Sequence, residues 1–394
     1  KQPLHIPFLI ACIDSDGRDM PVQLAHEHSP PAAGTRALEL RKQSERFQIK
    51  TGKTQPHLSL LRNFSAPVRV KHDRSVDELA FLLQHDRDPF NRWEAGQQLA
   101  MGQMRELIDN ASYRVPDAVF NAYARVLGNS DLDPALIAEI FSLPSENYLA
   151  DNMEVVDIDG IHRAHRDFSV LLASHLEHAF HDAYKGIAID GNYDFNSADV
   201  AKRRLRNVAL RFLMELPAPE YLELCLEAFH GANNMTDSLA ALIALSHHAD
   251  DQSKAALDEF YHHWSADVLV VNKWLSVQAM SRLPDTIDRV RELTSHAAFD
   301  IRNPNKVRAL IGAFSSNQAR FHDSSGGGYA LLTDYICQLD SINPQIAARL
   351  LTPLTRWKRM DAGRQSMMKD SLQQILATPE LSRDVFEIAS KSLA

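Results

Sequence analysis

At 394 residues, with 45% apolar and 24% charged side chains, the chain has the composition of a folded protein with room for two or three domains, and a mainly disordered chain is excluded. A formal charge of −9 excludes a general nucleic-acid binder, which needs a cationic surface to displace counterions from phosphate. Its three cysteines, Cys12, Cys225 and Cys337, are too few and too scattered for a disulfide framework or a zinc finger, and no apolar run approaches the ~20 residues that cross a bilayer.

With no basic, apolar and small-residue leader at the N-terminus either, the expected location is the reducing cytoplasm, away from membranes. The chain opens on Lys1-Gln2-Pro3 without a methionine and runs straight into a strand pattern, so it reads as a piece of something longer. Leu4, Ile6, Phe8 and Ile10 alternate at the strand period, and Asp14-Ser15-Asp16-Gly17 supplies turn chemistry before a second apolar stretch, Met20 to Leu24. Three more strands are expected at Ala37–Arg41, at Arg46–Lys50 and around Phe64–Lys71, separated by connectors such as Ser29-Pro30-Pro31 and Thr51-Gly52-Lys53-Thr54. About five strands fit a β-sandwich that lacks its edge or partner strands.

From Ser75 the period changes. Ser75-Val76-Asp77-Glu78 has the capping-box form and opens the first helix. Asp88-Pro89, Asp133-Pro134, Asn303-Pro304 and Asn343-Pro344 each put a capping side chain before a proline, whose missing amide proton costs nothing at the first helical position. Leu143-Pro144, Leu216-Pro217 and Leu283-Pro284 close preceding helices. Counting these signals gives roughly fifteen helices on short connectors without a fixed repeat length. The expected fold is mainly α: a HEAT-like superhelical array of paired helices over 75–394, preceded by a small, partial β-sandwich over 1–74 that is incomplete at its N-terminus.

Candidate sites are few. His26-Glu27-His28 begins like the zinc-protease motif HExxH, but position 30 is Pro30, and Pro30-Pro31 forbids the helix that would bring two imidazoles to one face, so a polar loop is expected. One helix is expected to carry His162, His165, His175, His178, His181 and Asp182. There, His175 with His178, or His178 with Asp182, can face one ion, yet no third ligand can be named, and an exposed polar face is the plainer reading. The loop Ser324-Ser325-Gly326-Gly327-Gly328-Tyr329 lacks the GK[ST] ending of a phosphate-binding loop and reads as a flexible connector into a helix at Tyr329. Lys202-Arg203-Arg204-Leu205-Arg206 and Arg356-Trp357-Lys358-Arg359 read as solvated basic faces, the second near a helix end where cations complement the dipole. Two arginines lie on helices with clean apolar stripes. Arg308 flanks Val307, Leu310, Ile311 and Phe314, while Arg349 projects away from Ile346, Ala347, Leu350, Leu351 and Leu354.

Several stretches carry a resemblance: Lys1-Gln2-Pro3-Leu4-His5-Ile6-Pro7-Phe8, Arg92-Trp93-Glu94-Ala95, Leu143-Pro144-Ser145, Ala232-Asn233-Asn234-Met235-Thr236-Asp237, Asn303-Pro304-Asn305-Lys306-Val307-Arg308 with Ile311-Gly312-Ala313-Phe314, and Asn343-Pro344-Gln345 leading to Arg349. In this order they resemble the C-terminal portion of bacterial aminopeptidase N, zinc metallopeptidases of the gluzincin group. The likeness covers nearly the whole chain and is most specific from Asn303 onward.

The resemblance implies that this chain supplies most of the family's small β-sandwich and its complete helical domain, which curls over a catalytic domain and limits access to peptides. It implies that zinc belongs to the full-length enzyme and not to this part, because the HExxH helix with its downstream glutamate and the GxMEN loop are absent here. No catalytic residue and no metal ligand is expected in this fragment, which would be inactive alone and, as in the family, monomeric. Arg349 would meet the C-terminal side or carboxylate of a bound peptide, and Arg308 would reach the same chamber. The rival reading is a free-standing HEAT-like scaffold that binds peptides or proteins on its concave face.

Overall fold

The computed structural model of the chain describes residues 3–28, 31, 34–51, 55–187 and 193–394. Lys1, Gln2, Ser29, Pro30 and the Gly52-Lys53-Thr54 connector, on which parts of the reading above fall, lie outside the described residues. Two compact units emerge: one of residues 1–144 and 170–213, the other of 145–169 and 214–394.

In the first unit, strand β1 (Ile6–Ile13) is the organising element. The others are β2 (Asp19–Met20), β3 (Gln23–Leu24), β4 (Arg36–Leu40), β5 (Ile49–Lys50) and β6 (His57–Leu60). β1 pairs antiparallel with β2, β4 and β6, while β3 pairs with β5 in a separate two-stranded sheet. The Asp14–Gly17 turn forms as its residues dictate: Asp14 Oδ1 accepts the amides of Asp16 and Arg18 at 3.0 and 2.8 Å, and Gly17 takes the left-handed φ of 81° that the turn requires. Ile10, Cys12, Val22, Leu24 and Leu38 form the core between the sheets, with Phe8, Phe47, Ile49 and Leu58 packed on it.

Three strand expectations change. The one over Arg46–Lys50 forms only as the two-residue β5. The stretch Met20–Leu24 is two short strands, because Pro21 cannot donate to a ladder and divides it. No strand forms around Phe64–Lys71, and the strand on that side is β6, which begins at His57. Leu61, Asn63 and Phe64 take left-handed φ values of 59°, 56° and 48°, which turn the chain out of the sheet into a short 3-10 turn. Such conformations cost roughly 1–3 kcal/mol each for side-chain-bearing residues.

A buried ionic knot holds this turn. Arg62, 4% exposed, grips Asp19 with two nitrogens at 2.8 Å each, Asp86 at 3.0 Å and the Ser59 hydroxyl at 2.8 Å. Asp88 accepts the Asn63 amide at 2.7 Å and caps the next helix through the Asn91 amide at 2.9 Å, and Asn91 donates to Ser59 and to the Leu60 carbonyl. The end of the sheet is thereby tied to the start of the helices. Burial raises the pKa of Asp86, whose second oxygen has no partner.

Helices begin where the sequence places them. Ser75 caps Val76–His85 through the Glu78 amide, Asp88 caps Pro89–Asp109, and Asp133 caps Pro134–Ile140. In this unit Val76–His85 packs on Pro89–Asp109 and Asp117–Leu127, and Ser197–Leu213 packs on Pro134–Ile140 and Glu177–Gly186. Phe141, Phe180 and Phe212 meet among them, the last two stacked at 4.6 Å. Arg203 corrects the reading of its basic run as a solvated face. It is 2% exposed, sits 4.7 Å from the Tyr193 ring and donates to the Asp194 carbonyl at 3.1 Å.

In the second unit, successive helices pack on their chain neighbours: Pro219–His230 on Met235–Leu245, then Asp251–Trp264, Val268–Ala279 and Thr286–Thr294 in turn. Gly327–Asp340 packs on Pro344–Leu350 and Ala362–Leu376, and Arg383–Leu393 covers these last two. Twenty α-helical segments occur among the described residues, more than the roughly fifteen expected, because several are single turns. The fold is mainly α, an array of paired helices preceded by a small β segment, as expected.

Arg62→Ala is expected to destabilise the first unit by roughly 3–5 kcal/mol, since it strands Asp86 and Asp19 without their counter-charge. Asp16→Ala, which removes an exposed ion pair with Arg18, should cost under about 1 kcal/mol. Denaturant midpoints check both, and similar shifts for the two variants would contradict the role given to the knot.

Candidate functional site

Within the second unit lies a cleft of about 450 Å³ whose wall includes Asn147, Asp151, Gln318, Arg349, Arg356 and Arg359. Five elements supply it: Glu146–Asp151, the run from Pro304 to Ser316, Gln318–Phe321, Pro344–Leu350 and the 3-10 helix Thr352–Arg359. The helix Glu146–Asp151 starts at Ser145, whose hydroxyl accepts the Tyr148 amide at 3.2 Å. Its far end is closed from a distant part of the chain, where Arg359 donates through Nη2 to the carbonyls of Ala150 and Met153 at 2.6 Å each. A cation on terminal carbonyls is the expected complement to a helix C-terminus, here supplied in trans to the helix.

The helical run opened by Asn303-Pro304 spans Pro304 to Ser316 and contains one π-helical turn, Arg308–Gly312. Val307, Leu310, Ile311 and Phe314 are all buried, as their stripe demands. The run ends at Asn317, a buried side chain that donates to the Ala279 and Ser281 carbonyls at 3.1 and 2.8 Å and accepts the Arg320 amide, so Gln318 is presented to the cleft. The Gln318 amide donates to Asn147 Oδ1 across the wall.

Behind it, His322 is 5% exposed, with Nδ1 at 2.8 Å from the Tyr329 hydroxyl and its carbonyl accepting Arg364 Nε at 2.6 Å. Arg364 is itself held by Asp361 and Asp159 at 2.9 Å each. Burial and the nearby Arg364 charge push the His322 pKa down to about 4. The glycine-rich loop packs here as well. The helix starts at Gly327, two residues ahead of the expected start at Tyr329, and a Cβ on Gly328 would lie 2.2 Å from the Phe321 carbonyl oxygen, so Gly328 serves close packing.

Arg349 stands on Pro344–Leu350, which Asn343 caps through the Ile346 amide. Ile346, Ala347, Leu350, Leu351 and Leu354 are buried and Arg349 is exposed. Of the three arginines in the cleft, Arg359 is fixed on carbonyls and both it and Arg356 reach Asp151 at 3.4 Å, whereas the Arg349 guanidinium has no acceptor among the described residues. Arg308 is not part of this wall. It is exposed, donates to Asn305 at 3.1 Å, and lies one turn before Gly312, which does line the cleft. The reading of Arg356 to Arg359 as a solvated face holds only in part: Trp357 is buried and donates to the Ser392 carbonyl at 3.1 Å, while Arg359 closes a helix.

The histidine-rich stretch is two helices, Ile158–His175 and Glu177–Gly186, because the backbone at Leu176 leaves the helical region with ψ of 17°. His175 stacks on Phe120 at 3.8 Å and its Nδ1 bonds the Leu171 carbonyl, and His162 pairs with Glu146 at 2.8 Å. Glu27 is tied to the Leu24 amide and to Arg36 in the loop that holds His26 and His28. Among the described residues no three His, Cys, Asp or Glu side chains are grouped to hold a metal ion, and no helix is long and apolar enough to cross a membrane.

Comparison with known proteins decides the family. Residues 76–394 match the family described as "Domain of unknown function (DUF3458_C) ARM repeats", and residues 1–73 match "Domain of unknown function (DUF3458) Ig-like fold". The chain belongs to the DUF3458 family.

Aminopeptidase N of Escherichia coli is 37% identical to this DUF3458 chain over 399 residues, covering 100% of it, and aminopeptidase N of Caulobacter vibrioides is 39% identical over 344 residues, covering 86%. The crystal structure of Legionella pneumophila aminopeptidase A in complex with aspartic acid superposes with a TM-score of 0.86 at 32% identity over 99% of the chain. The chain corresponds to the C-terminal part of such proteins and spans 45% of the length of the first and third and 39% of the second.

Stability within this unit should depend on pH through His322. Its folded pKa of about 4 lies below the unfolded value of 6.5, so as pH falls from 6.5 the unfolded chain takes up the proton first and the fold loses stability. At pH 5 this one group accounts for roughly 2 kcal/mol. His322→Gln should flatten the fall in denaturant midpoint between pH 7 and pH 5 by that amount, and an unchanged fall would contradict the assignment.

Proposed function

We propose that this chain is the wall and lid of the substrate chamber in a broad-specificity zinc aminopeptidase, which removes N-terminal residues from peptides, and that it has no catalytic centre of its own. The observation that carries the reading is Arg349: an exposed guanidinium in a cleft, on a capped helix, with no acceptor among the described residues while Arg356 and Arg359 have theirs. A planar fork in that state suits a carboxylate, which it can grip with two parallel hydrogen bonds. The similarity to aminopeptidases along the whole chain supplies the context.

In this reading Arg349 fixes the C-terminal end of a short peptide and so sets how far its N-terminus reaches toward the chemistry. Arg308, one turn from the cleft, adds positive potential that draws the carboxylate in. The side chains described here do not fit zinc, since they offer no three-ligand group, so the metal, the general base and the recognition of the substrate amine are assigned to the preceding catalytic portion. In this reading the β segment ends at residue 74 and the helical domain begins at residue 75, a division supported by Ser75 capping the first helix. The three unpaired cysteines suit a cytoplasmic setting.

In the full-length protein, Arg349→Ala should raise KM for di- and tripeptides roughly tenfold or more, the size of one charge-assisted contact, and leave chromogenic amide substrates without a carboxylate near their starting values. Equal losses on both substrate types would contradict carboxylate contact. Zinc-dependent release of N-terminal residues by the 394-residue chain alone would overturn the assignment of catalysis elsewhere.

A further inference from the structure

The cleft around Arg349 holds more positive charge than one carboxylate needs. Three guanidiniums, of Arg349, Arg356 and Arg359, face one carboxylate, Asp151, in a protein whose overall charge is −9. Their bonds are unequal. Arg359 is locked by two carbonyls at 2.6 Å. Arg356 has a single acceptor among the described residues, Asp151 Oδ1 at 3.4 Å, and both partners are 55% exposed. Asp151 also stands at the C-terminal end of its helix, where the macrodipole disfavours a negative charge. A long, solvent-screened pair at an unfavourable helix end is easily exchanged for a better one.

We infer that the cleft reads two carboxylates, selecting peptides whose C-terminal residue carries an acidic side chain. Arg349 takes the main-chain carboxylate and Arg356 leaves Asp151 to take the side-chain carboxylate, with Arg359 held back as a fixed positive background. The inference rests on the peptide-binding reading of the cleft given above and adds the substrate class. Asp151 acts as an internal competitor: it keeps Arg356 neutralised when a neutral C-terminal residue is bound and yields it when a second carboxylate arrives.

The experiment compares Ala-Ala-Asp with its neutral isostere Ala-Ala-Asn at low ionic strength, by titration into the 394-residue chain and, in parallel, as substrates of the full-length protein. The acidic peptide should be favoured roughly tenfold in affinity and in kcat/KM, a preference that shrinks as salt is raised. Arg356→Gln should bring the two peptides to equal affinity, and Asp151→Asn should widen the gap in favour of the acidic one. Equal binding by the unaltered chain, a preference that survives Arg356→Gln, or no binding of either peptide would each overturn the inference. Failure of the full-length protein to hydrolyse any peptide would instead sink the aminopeptidase reading, and the titrations would still decide whether the cleft prefers two carboxylates.

Discussion

The cleft depends on one contact, the Arg359 guanidinium against the carbonyls of Ala150 and Met153. Those carbonyls end a helix of only six residues, Glu146–Asp151, too short to be stable without help at both ends. Ser145 closes one end and Arg359, 209 residues after Ala150, closes the other. The same backbone passage adds a bond from the Val156 amide to the Arg359 carbonyl at 2.8 Å. This pairing brings Asn147 and Asp151 opposite Arg349 and Arg356. It also consumes one arginine of the cluster and leaves another without an acceptor.

The remaining walls are kept rigid by buried polar groups rather than by long helices. Asn317 ties the end of one helix to two carbonyls of a neighbouring segment, and Arg364 joins Asp361, Asp159 and the His322 carbonyl. Each bond satisfies a group whose burial would otherwise cost about 1–3 kcal/mol. A site assembled from helix ends suits a binding surface, because ends present charged and amide groups while the apolar faces pack beneath. The π-helical turn at Arg308–Gly312 fits the same pattern, since such turns shift the side chains that follow them without breaking the helix.

Much of the fold was legible because its signals are local. Ser75, Asp88, Asp133, Asn303 and Asn343 cap the helices they announce, and the apolar stripes beside Arg308 and Arg349 are buried while both arginines are exposed. The failures share a cause: they depend on contacts between distant residues. Leu61 and Phe64 carry no signal for left-handed backbone and Asn63 only the modest one of an asparagine, and the Arg62 knot explains their turn. Arg203 was hidden within a basic run because its ring partner, Tyr193, precedes the helix in a loop. In the cleft, periodicity placed Arg349 off the apolar stripe and only the resemblance made it a candidate, while the Arg356 to Arg359 run was visible but undervalued. Asn147 and Asp151, some 200 residues earlier, gave no sequence signal.

These features give a DUF3458 chain whose helical part carries a cationic cleft inside an acidic protein, with the resemblance to aminopeptidases as the frame in which that cleft acquires a task. The central claim is that Arg349 meets the C-terminus of a bound peptide. Its most direct test is a structure of the full-length protein with a slowly cleaved tripeptide bound. The account predicts the peptide carboxylate within about 3 Å of the Arg349 guanidinium nitrogens. A peptide whose C-terminus lies elsewhere, with Arg349 facing only solvent, would contradict it.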